Sequence, residues 1–213
     1  MKIDPVNLDN KEAHHLLVGA VVPRPVAWVS TVGEDGIFNL APFSFFAAMS
    51  VKPAIVGFGV GRKRHGEEKD TLRNIEATKE FVINVVDEAL AEPMNVTAVP
   101  CPADVDEFKE AGLTPVDADL VKVPMVAESP INLECRLTQI LEFDDSPART
   151  SFIIGEVLRF HVKDELYVNG EIQMSKLMAV ARLGGELYCR TGEIFEMKMH
   201  PDTYSGMGKY GGV

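Results

Sequence analysis

Apolar and polar residues alternate in short runs along most of this chain, and glycine, proline and aspartate bound the runs. Val26 to Thr31 reads as a first strand and Gly33-Glu34-Asp35-Gly36 as a tight turn. A second strand follows and enters an aromatic, small-residue segment that reaches Met49. Pro53 to Gly59 reads as a buried third strand, with glycines where another backbone or a ligand approaches closely. Beyond the polar stretch 62–69, Asp70 or Thr71 is expected to cap a short helix from Leu72 to Thr78, with Leu72 and Ile75 on one face. Glu80 to Val86 is β-rich again.

Residues 87–111 read as a helical excursion, with Asp87 capping a stretch to Met94, Asp104 capping Val105 to Ala111, and Gly112 as the stop. A proline-punctuated connection runs from Leu113 to Pro130. Ile131 to Phe143 and Ser151 to Val162 then predict a long hairpin about the turn Asp144-Asp145-Ser146-Pro147. Lys176 to Leu183 is a short helix or an extended packing segment, and the His14-His15 pair falls in an N-terminal helical turn. The tail, about 201–213, carries too much glycine for an element and is expected to be mobile or docked on a partner. Many short strands with few helices predict a mainly β fold with helical insertions, an antiparallel barrel in a single domain over 1–213. A doubly wound sheet would need a helix after nearly every strand.

Composition narrows the partners. A hydrophobic content of 46% in 213 residues is enough to bury a sizeable core. The formal charge of −11 argues against nucleic acid, whose phosphates call for clustered Lys and Arg over a broad face. Cys101, Cys135 and Cys189 are far apart and read as buried thiols in a reducing compartment. The charged N-terminus lacks a signal-peptide apolar region, and the longest apolar stretch, Leu40 to Val51, is well short of the roughly 20 residues a bilayer requires. The expected location is the cytoplasm, with no membrane partner.

Three places carry candidate chemistry. Asn39 and Ser44 are lone polar residues among apolar neighbours, and a buried polar side chain needs a partner. A flat heteroaromatic ligand under an aromatic wall would supply it, and so would ordinary strand-edge bonding to backbone. At Lys69-Asp70-Thr71, the Thr71 hydroxyl, the adjacent helix-start amides and the Lys69 ammonium would make a phosphate cradle. Five of the 21 basic residues, Arg62, Lys63, Arg64, Lys69 and Arg73, fall within the twelve positions 62–73, although a solvated loop with an ordinary aspartate cap explains it too. In Arg182-Leu183-Gly184-Gly185-Glu186-Leu187-Tyr188, a glycine pair between Arg and Tyr either lets the backbone meet a flat ligand or makes a plain turn.

Other motifs fall away. The Gly59 and Gly61 pair meets Arg64 where a dinucleotide fingerprint needs its third glycine. The five histidines show no metal-ligand spacing, and no nucleophile elbow is present.

Pro23-Arg24-Pro25-Val26-Ala27-Trp28-Val29-Ser30-Thr31, Asn39-Leu40-Ala41-Pro42-Phe43-Ser44-Phe45-Phe46, Lys69-Asp70-Thr71-Leu72-Arg73-Asn74-Ile75 and Gly155-Glu156-Val157 together resemble the flavin reductase-like family of FMN-binding split-barrel proteins, in order and spacing over about residues 15–190. The resemblance implies a Greek-key split β-barrel, a homodimer, and FMN at or near the subunit interface. Carried over by position, Thr31, Asn39, Ala41, Ser44 and Phe45 would line the flavin, Lys69 and Thr71 would hold its phosphate, and Arg182 would approach from the C-terminal region. No side chain need act as acid or base, because the flavin supplies the hydride or electron chemistry. The expected activity is an FMN-dependent oxidoreductase, with NAD(P)H as co-substrate or a small molecule or protein as electron donor or acceptor.

One step departs from the pattern. Two-component reductases of the family often carry Gly-Asp-His just before the Gly-Glu-Val strand, where this chain has Ala148-Arg149-Thr150. Thr150 neither titrates nor stacks like an imidazole. That favours a flavoredoxin-like branch, and the alternative it raises is a non-catalytic FMN-binding electron carrier with no nicotinamide site. A split barrel binding haem or a metabolite in place of flavin is the third reading.

Overall fold

In the computed structural model, which describes residues 1–143, 146 and 149–197, strands dominate and the helices are short. The strands are β1 (Arg24–Pro25), β2 (Ala27–Val32), β3 (Phe38–Phe43), β4 (Phe46–Ser50), β5 (Ile55–Val60), β6 (Glu80–Asn84), β7 (Pro115–Val116), β8 (Met125–Val126), β9 (Ile131–Glu142), β10 (Ser151–Val162), β11 (Tyr167–Val168), β12 (Glu171–Ile172), β13 (Val180–Arg182) and β14 (Tyr188–Arg190). The helices are α1 (Asn10–Ala20), α2 (Asp70–Thr78), α3 (Ala91–Val96), α4 (Glu107–Glu110) and α5 (Met174–Leu177).

Seven strands form one antiparallel sheet in the order β3-β2-β6-β9-β10-β5-β4. The strands at its two ends, β3 and β4, are joined by Ser44 and Phe45 alone. A link that short spans about 10 Å, so the sheet curls until its ends nearly meet, although β3 and β4 do not pair. The Gly59 amide donates to the Phe45 carbonyl at 2.8 Å and pins the crossover. This divides the apolar stretch 40–51 between opposite ends of the sheet. Alternation along the stretch is silent about that break, which is made by the curl of the whole sheet.

β2 is buried on both faces because two cores meet across it. Ala27 and Val29 join the core inside the curled sheet with Phe43, Phe58, Ile75, Phe81 and Ile153. Trp28 faces the other way and packs with Leu40 of β3 and with Leu90, Met94 and Phe108 of the helical excursion. The excursion therefore covers the outside of β2 and β3, and Trp28 Nε1 donates to Thr97 Oγ1 at 2.9 Å to hold it there.

Several expected details shift. The N-terminal helical turn is in fact an 11-residue helix, α1, begun by a capping box in which the Glu12 amide donates to Asp9 Oδ1 at 2.8 Å and the Asp9 amide to Glu12 Oε2 at 3.0 Å. Neither Asp70 nor Thr71 caps α2. The cap position is Lys69, without a side-chain cap bond, because the Asp70 carboxylate turns to Lys63 and Arg73 and the Thr71 hydroxyl to Asn39. Asp106, and not Asp104, caps α4, accepting from the Phe108 amide at 3.0 Å. Lys176 to Leu183 divides between the end of α5 and β13, with Met178 left-handed at φ 47° between them. The tail at 201–213 and most of the turn at 144–147 lie outside the described residues. No helix among the described residues is long and apolar enough to cross a membrane.

Candidate functional site

The antiparallel register of β2 and β3 sets Thr31 opposite Asn39, and α2 packs across both strands. One buried polar knot results. Asn39 Nδ2 donates to Thr31 Oγ1 at 3.2 Å and to Thr71 Oγ1 at 3.0 Å, and Asn74 Nδ2 donates to Thr31 Oγ1 at 3.1 Å. Both hydroxyls act as acceptors here, so each keeps its own proton to give.

A cleft of about 420 Å³ opens beside this knot. Asn39, Ala41 and Pro42 of β3 form one wall, Lys69, Asp70 and Thr71 at the start of α2 a second, and the segment Thr97 to Cys101 a third. The Lys69 ammonium makes no hydrogen bond or ion pair to any described residue and lies 5.3 Å from the Phe43 ring centroid. Burial lowers its pKa below the ordinary lysine value, and the positive charge of Lys63 adds to the effect. A half-buried cation with no anion is a docking point for one. The first amides of α2, at Asp70 and Thr71, have no carbonyl behind them within the helix and face the same end.

Arg62 stands next to this corner. Its side chain is only 2% exposed, its Nη1 donates to Ser151 Oγ at 2.8 Å, and its Nε has no partner among the described residues. Glu142 lies 3.4 Å from its Nη2. Asp70 is the opposing charge in the cleft, but it is already engaged: burial draws its carboxyl upward, and Lys63 at 2.5 Å together with Arg73 outweighs that and holds it below the usual range. The local surplus is therefore cationic, although the chain is acidic overall.

Of the residues singled out from sequence, Thr31, Asn39, Ala41, Lys69 and Thr71 come together at this cleft, with Thr31 behind Asn39. Ser44 and Phe45 line a neighbouring apolar cleft of about 310 Å³ with Leu17, Val21, Phe46 and Phe152. Arg182 reaches neither. Its guanidinium stacks 5.1 Å from the Tyr188 ring centroid and donates to the Gly185 carbonyl at 3.1 Å.

Three residues carry more than the sequence reading assigned them. Arg24, opposite Arg182 across β1 and β13, donates to the carbonyls of Val18, Val21 and Leu183 and reaches Ser44 Oγ at 3.5 Å, tying α1 to the β3–β4 crossover. Glu107 is a buried carboxyl at the wall of the large cleft. His161, with no ligand spacing in sequence, lies against Glu134 with Asp119 nearby. That trio has the side-chain types of a metal site, yet its oxygens are spent: Glu134 accepts the amides of Asp119, Leu120 and Val121 as well as His161, and Asp119 pairs with Arg159 at 2.5 Å. The sequence reading gave none of these three a role, whereas its basic patch did mark Arg62.

The chain is similar to known proteins. Residues 18–176 match the family model described as flavin reductase like domain. An uncharacterized protein of Halalkalibacterium halodurans, BH2278, is 41% identical over 199 residues, covering 92% of this chain and 95% of its own. Among solved structures, nitrilotriacetate monooxygenase component B from Bacillus cereus superposes with a TM-score of 0.89 at 36% identity, covering 92% of this chain and 98% of its own. The 2-nitrobenzoate 2-nitroreductase NbaA of Pseudomonas fluorescens superposes with a TM-score of 0.87 at 29% identity, covering 97% of this chain and 100% of its own.

Proposed function

The chain belongs to the flavin reductase-like domain family, and we propose that it is an FMN-binding oxidoreductase of Greek-key split-barrel fold, passing electrons from NAD(P)H or a protein donor through bound flavin. The observation that carries the reading is the unpaired ammonium of Lys69, set beside the free α2 amides and the orphaned Arg62 Nε in a cleft open to a planar ligand. These donors suit a phosphate monoester. Lys69, the Thr71 hydroxyl and the amides of Asp70 and Thr71 would hold it, while Ala41 and the Thr31–Asn39 pair would border the ring system, and Ser44 and Phe45 would meet it at the crossover. Arg182 has no part in this cleft within one chain, and an approach from a second subunit is the role left to it. Bound FMN would supply the redox chemistry. The protein supplies position: the buried knot fixes the Asn39 and Thr71 side chains before any ligand arrives, so little ordering is left to binding.

The test is direct. The purified protein should be yellow or become yellow with FMN, and denaturation should release FMN. FAD or haem in the extract, with no FMN uptake by the apoprotein, would refute the reading. A second reading, an electron carrier without a nicotinamide site, is favoured by Thr150. This residue stands where related reductases carry histidine, and its methyl lies 3.4 Å from a Cβ placed at Gly59. In anaerobic stopped flow, NADH and NADPH should reduce the flavin slowly or not at all while dithionite reduces it fully. Rapid saturable bleaching by either nucleotide would eliminate the carrier reading.

The active unit we propose is a homodimer built on β4 and α1. β4 is an end strand whose outer edge has no partner among the described residues, and Met49 and Val51 are exposed, as are Leu17, Val21 and Phe45. An apolar sheet edge in water invites a second copy. Sedimentation at micromolar concentration should give the dimer mass, and a monomer with FMN still bound would exclude this interface as part of the site.

A further inference from the structure

Glu107 stands where two clefts meet. It shares with Asn39 and Asp70 the lining of the Lys69 cleft and of a second one, about 230 Å³, between the β2–β3 turn and the segment before α4. The residue is 8% exposed, Glu107 Oε2 accepts the Leu40 amide at 3.1 Å, and no cation among the described residues pairs with it. Burial, helped by the nearby charges of Asp70 and Asp106, pushes its carboxyl up to about 7 against the pull of the Leu40 amide and its own.

The charges around it do not relieve this. From α2, Asp70 and Arg73 face it, already paired with each other. From the loop before α2 come Lys63, which is on Asp70, Arg62, which is on Ser151 and Glu142, the exposed Glu67, and the unpaired Lys69. The β2–β3 turn adds the exposed Glu34 and Asp35. Cys101 faces it from the segment after α3, its thiol pushed up by burial and by Glu107 and Glu110. On its own helix, Asp106 is held by Lys109 at 3.1 Å.

We propose that Glu107 couples binding of the phosphorylated flavin to the uptake of one proton from solvent, its carboxylate becoming a neutral carboxyl as the ligand enters. The proposal rests on the reading of this cleft as the FMN site. A phosphate brings about −1.5 to −2 of charge into a cleft where Glu107 has no counter-ion among the described residues, so the two negative charges share one cleft and oppose each other. Protonation removes one of them. Above about pH 7 the free protein then carries an ionised Glu107, while the loaded protein keeps it neutral to a higher pH, so affinity falls as pH rises, by up to about tenfold per unit.

The experiment is FMN and riboflavin affinity from pH 6 to 9, by flavin fluorescence, for the wild type and Glu107→Gln. Glutamine keeps an oxygen for the Leu40 amide and has no proton to lose. The second ionisation of the FMN phosphate, near pH 6, works in the opposite direction and is common to both proteins, as is loss of the Lys69 proton. Relative to the variant, the wild type should lose FMN affinity by up to about tenfold per pH unit above 7, with no such loss for riboflavin. Parallel FMN profiles in the two proteins would overturn the inference alone. Absence of FMN binding at pH 6 would overturn the reading of the cleft, and the inference with it. Should the variant not fold, calorimetry of the wild type at pH 8 in two buffers of different ionisation enthalpy decides: uptake near one proton per FMN is expected, and none refutes the coupling.

Discussion

Lys69→Ala is expected to weaken FMN binding by about ten- to a hundredfold and to leave riboflavin almost unaffected. The substitution removes a cation of the cleft that has no anion among the described residues, and a charge-assisted hydrogen bond contributes about 1.5–3 kcal/mol, which is that range in affinity. Riboflavin has the same ring and no phosphate, so it separates loss of the contact from collapse of the cleft. Burial already lowers the pKa of the Lys69 ammonium, which makes an alanine there easier to accommodate in the free protein than removal of a paired lysine would be. Equal losses for both flavins, measured by titration at one pH, would place the phosphate elsewhere.

Glu134→Ala should be the most damaging single truncation for the fold outside the apolar core, lowering stability by about 3 kcal/mol at neutral pH. Glu134 on β9 is fully buried, and its two oxygens accept from Asp119 at 3.1 Å, Leu120 at 2.6 Å and Val121 at 3.1 Å, with His161 Nε2 at 2.5 Å. Alanine leaves three amides and an imidazole without a partner. The lower end of the range for a broken buried pair is used because Asp119 and His161 open to solvent. Burial pulls the Glu134 carboxyl upward, but His161 and the amides outweigh it and hold the carboxyl below the ordinary glutamate value. A lowered folded-state pKa means that the contribution is complete above the unfolded value, about 4.3, and disappears as pH falls through the folded one. Urea unfolding should therefore show a wide gap between wild type and variant at pH 7 that narrows in acid. A gap below about 1 kcal/mol at pH 7 would mean that the 119–121 turn finds other acceptors.

Much of the architecture was legible before any coordinates. β2, the turn at Gly33 to Gly36, and the β9 and β10 pair are written in alternation and glycine placement, which depend on neighbours a few residues away. The missed length of α1 has a simple reason: Val18 is its one buried residue, so it lacks the apolar stripe by which helices are recognised, and only the Asp9 and Glu12 box marked its start. The cap of α2 was misplaced because aspartate and threonine are good caps in general, while here both side chains are drawn to partners that fold in from elsewhere.

For the site, the sequence by itself marked several of the cleft's residues and not their grouping. The cluster of basic residues around Lys69, the polar Asn39 within an apolar strand and the family pattern were all readable, since each is a property of a short stretch of chain. Tertiary structure decided that Thr31, Asn39 and Thr71 share one set of hydrogen bonds, that Ser44 and Phe45 turn into a different cleft, and that Arg182 reaches neither. It also decided which charges remain unpaired. Lys63 and Lys69 look alike in sequence, but Asp70 takes the first and leaves the second. Glu107 and Glu134 are both buried glutamates, one with a single amide from another residue and the other with three amides and a histidine. Their opposite pKa shifts follow from partners brought in across the fold, some from distant parts of the chain. Burial and pairing are pairwise quantities in space, and a linear pattern carries them only where the partner lies within a turn or a hairpin.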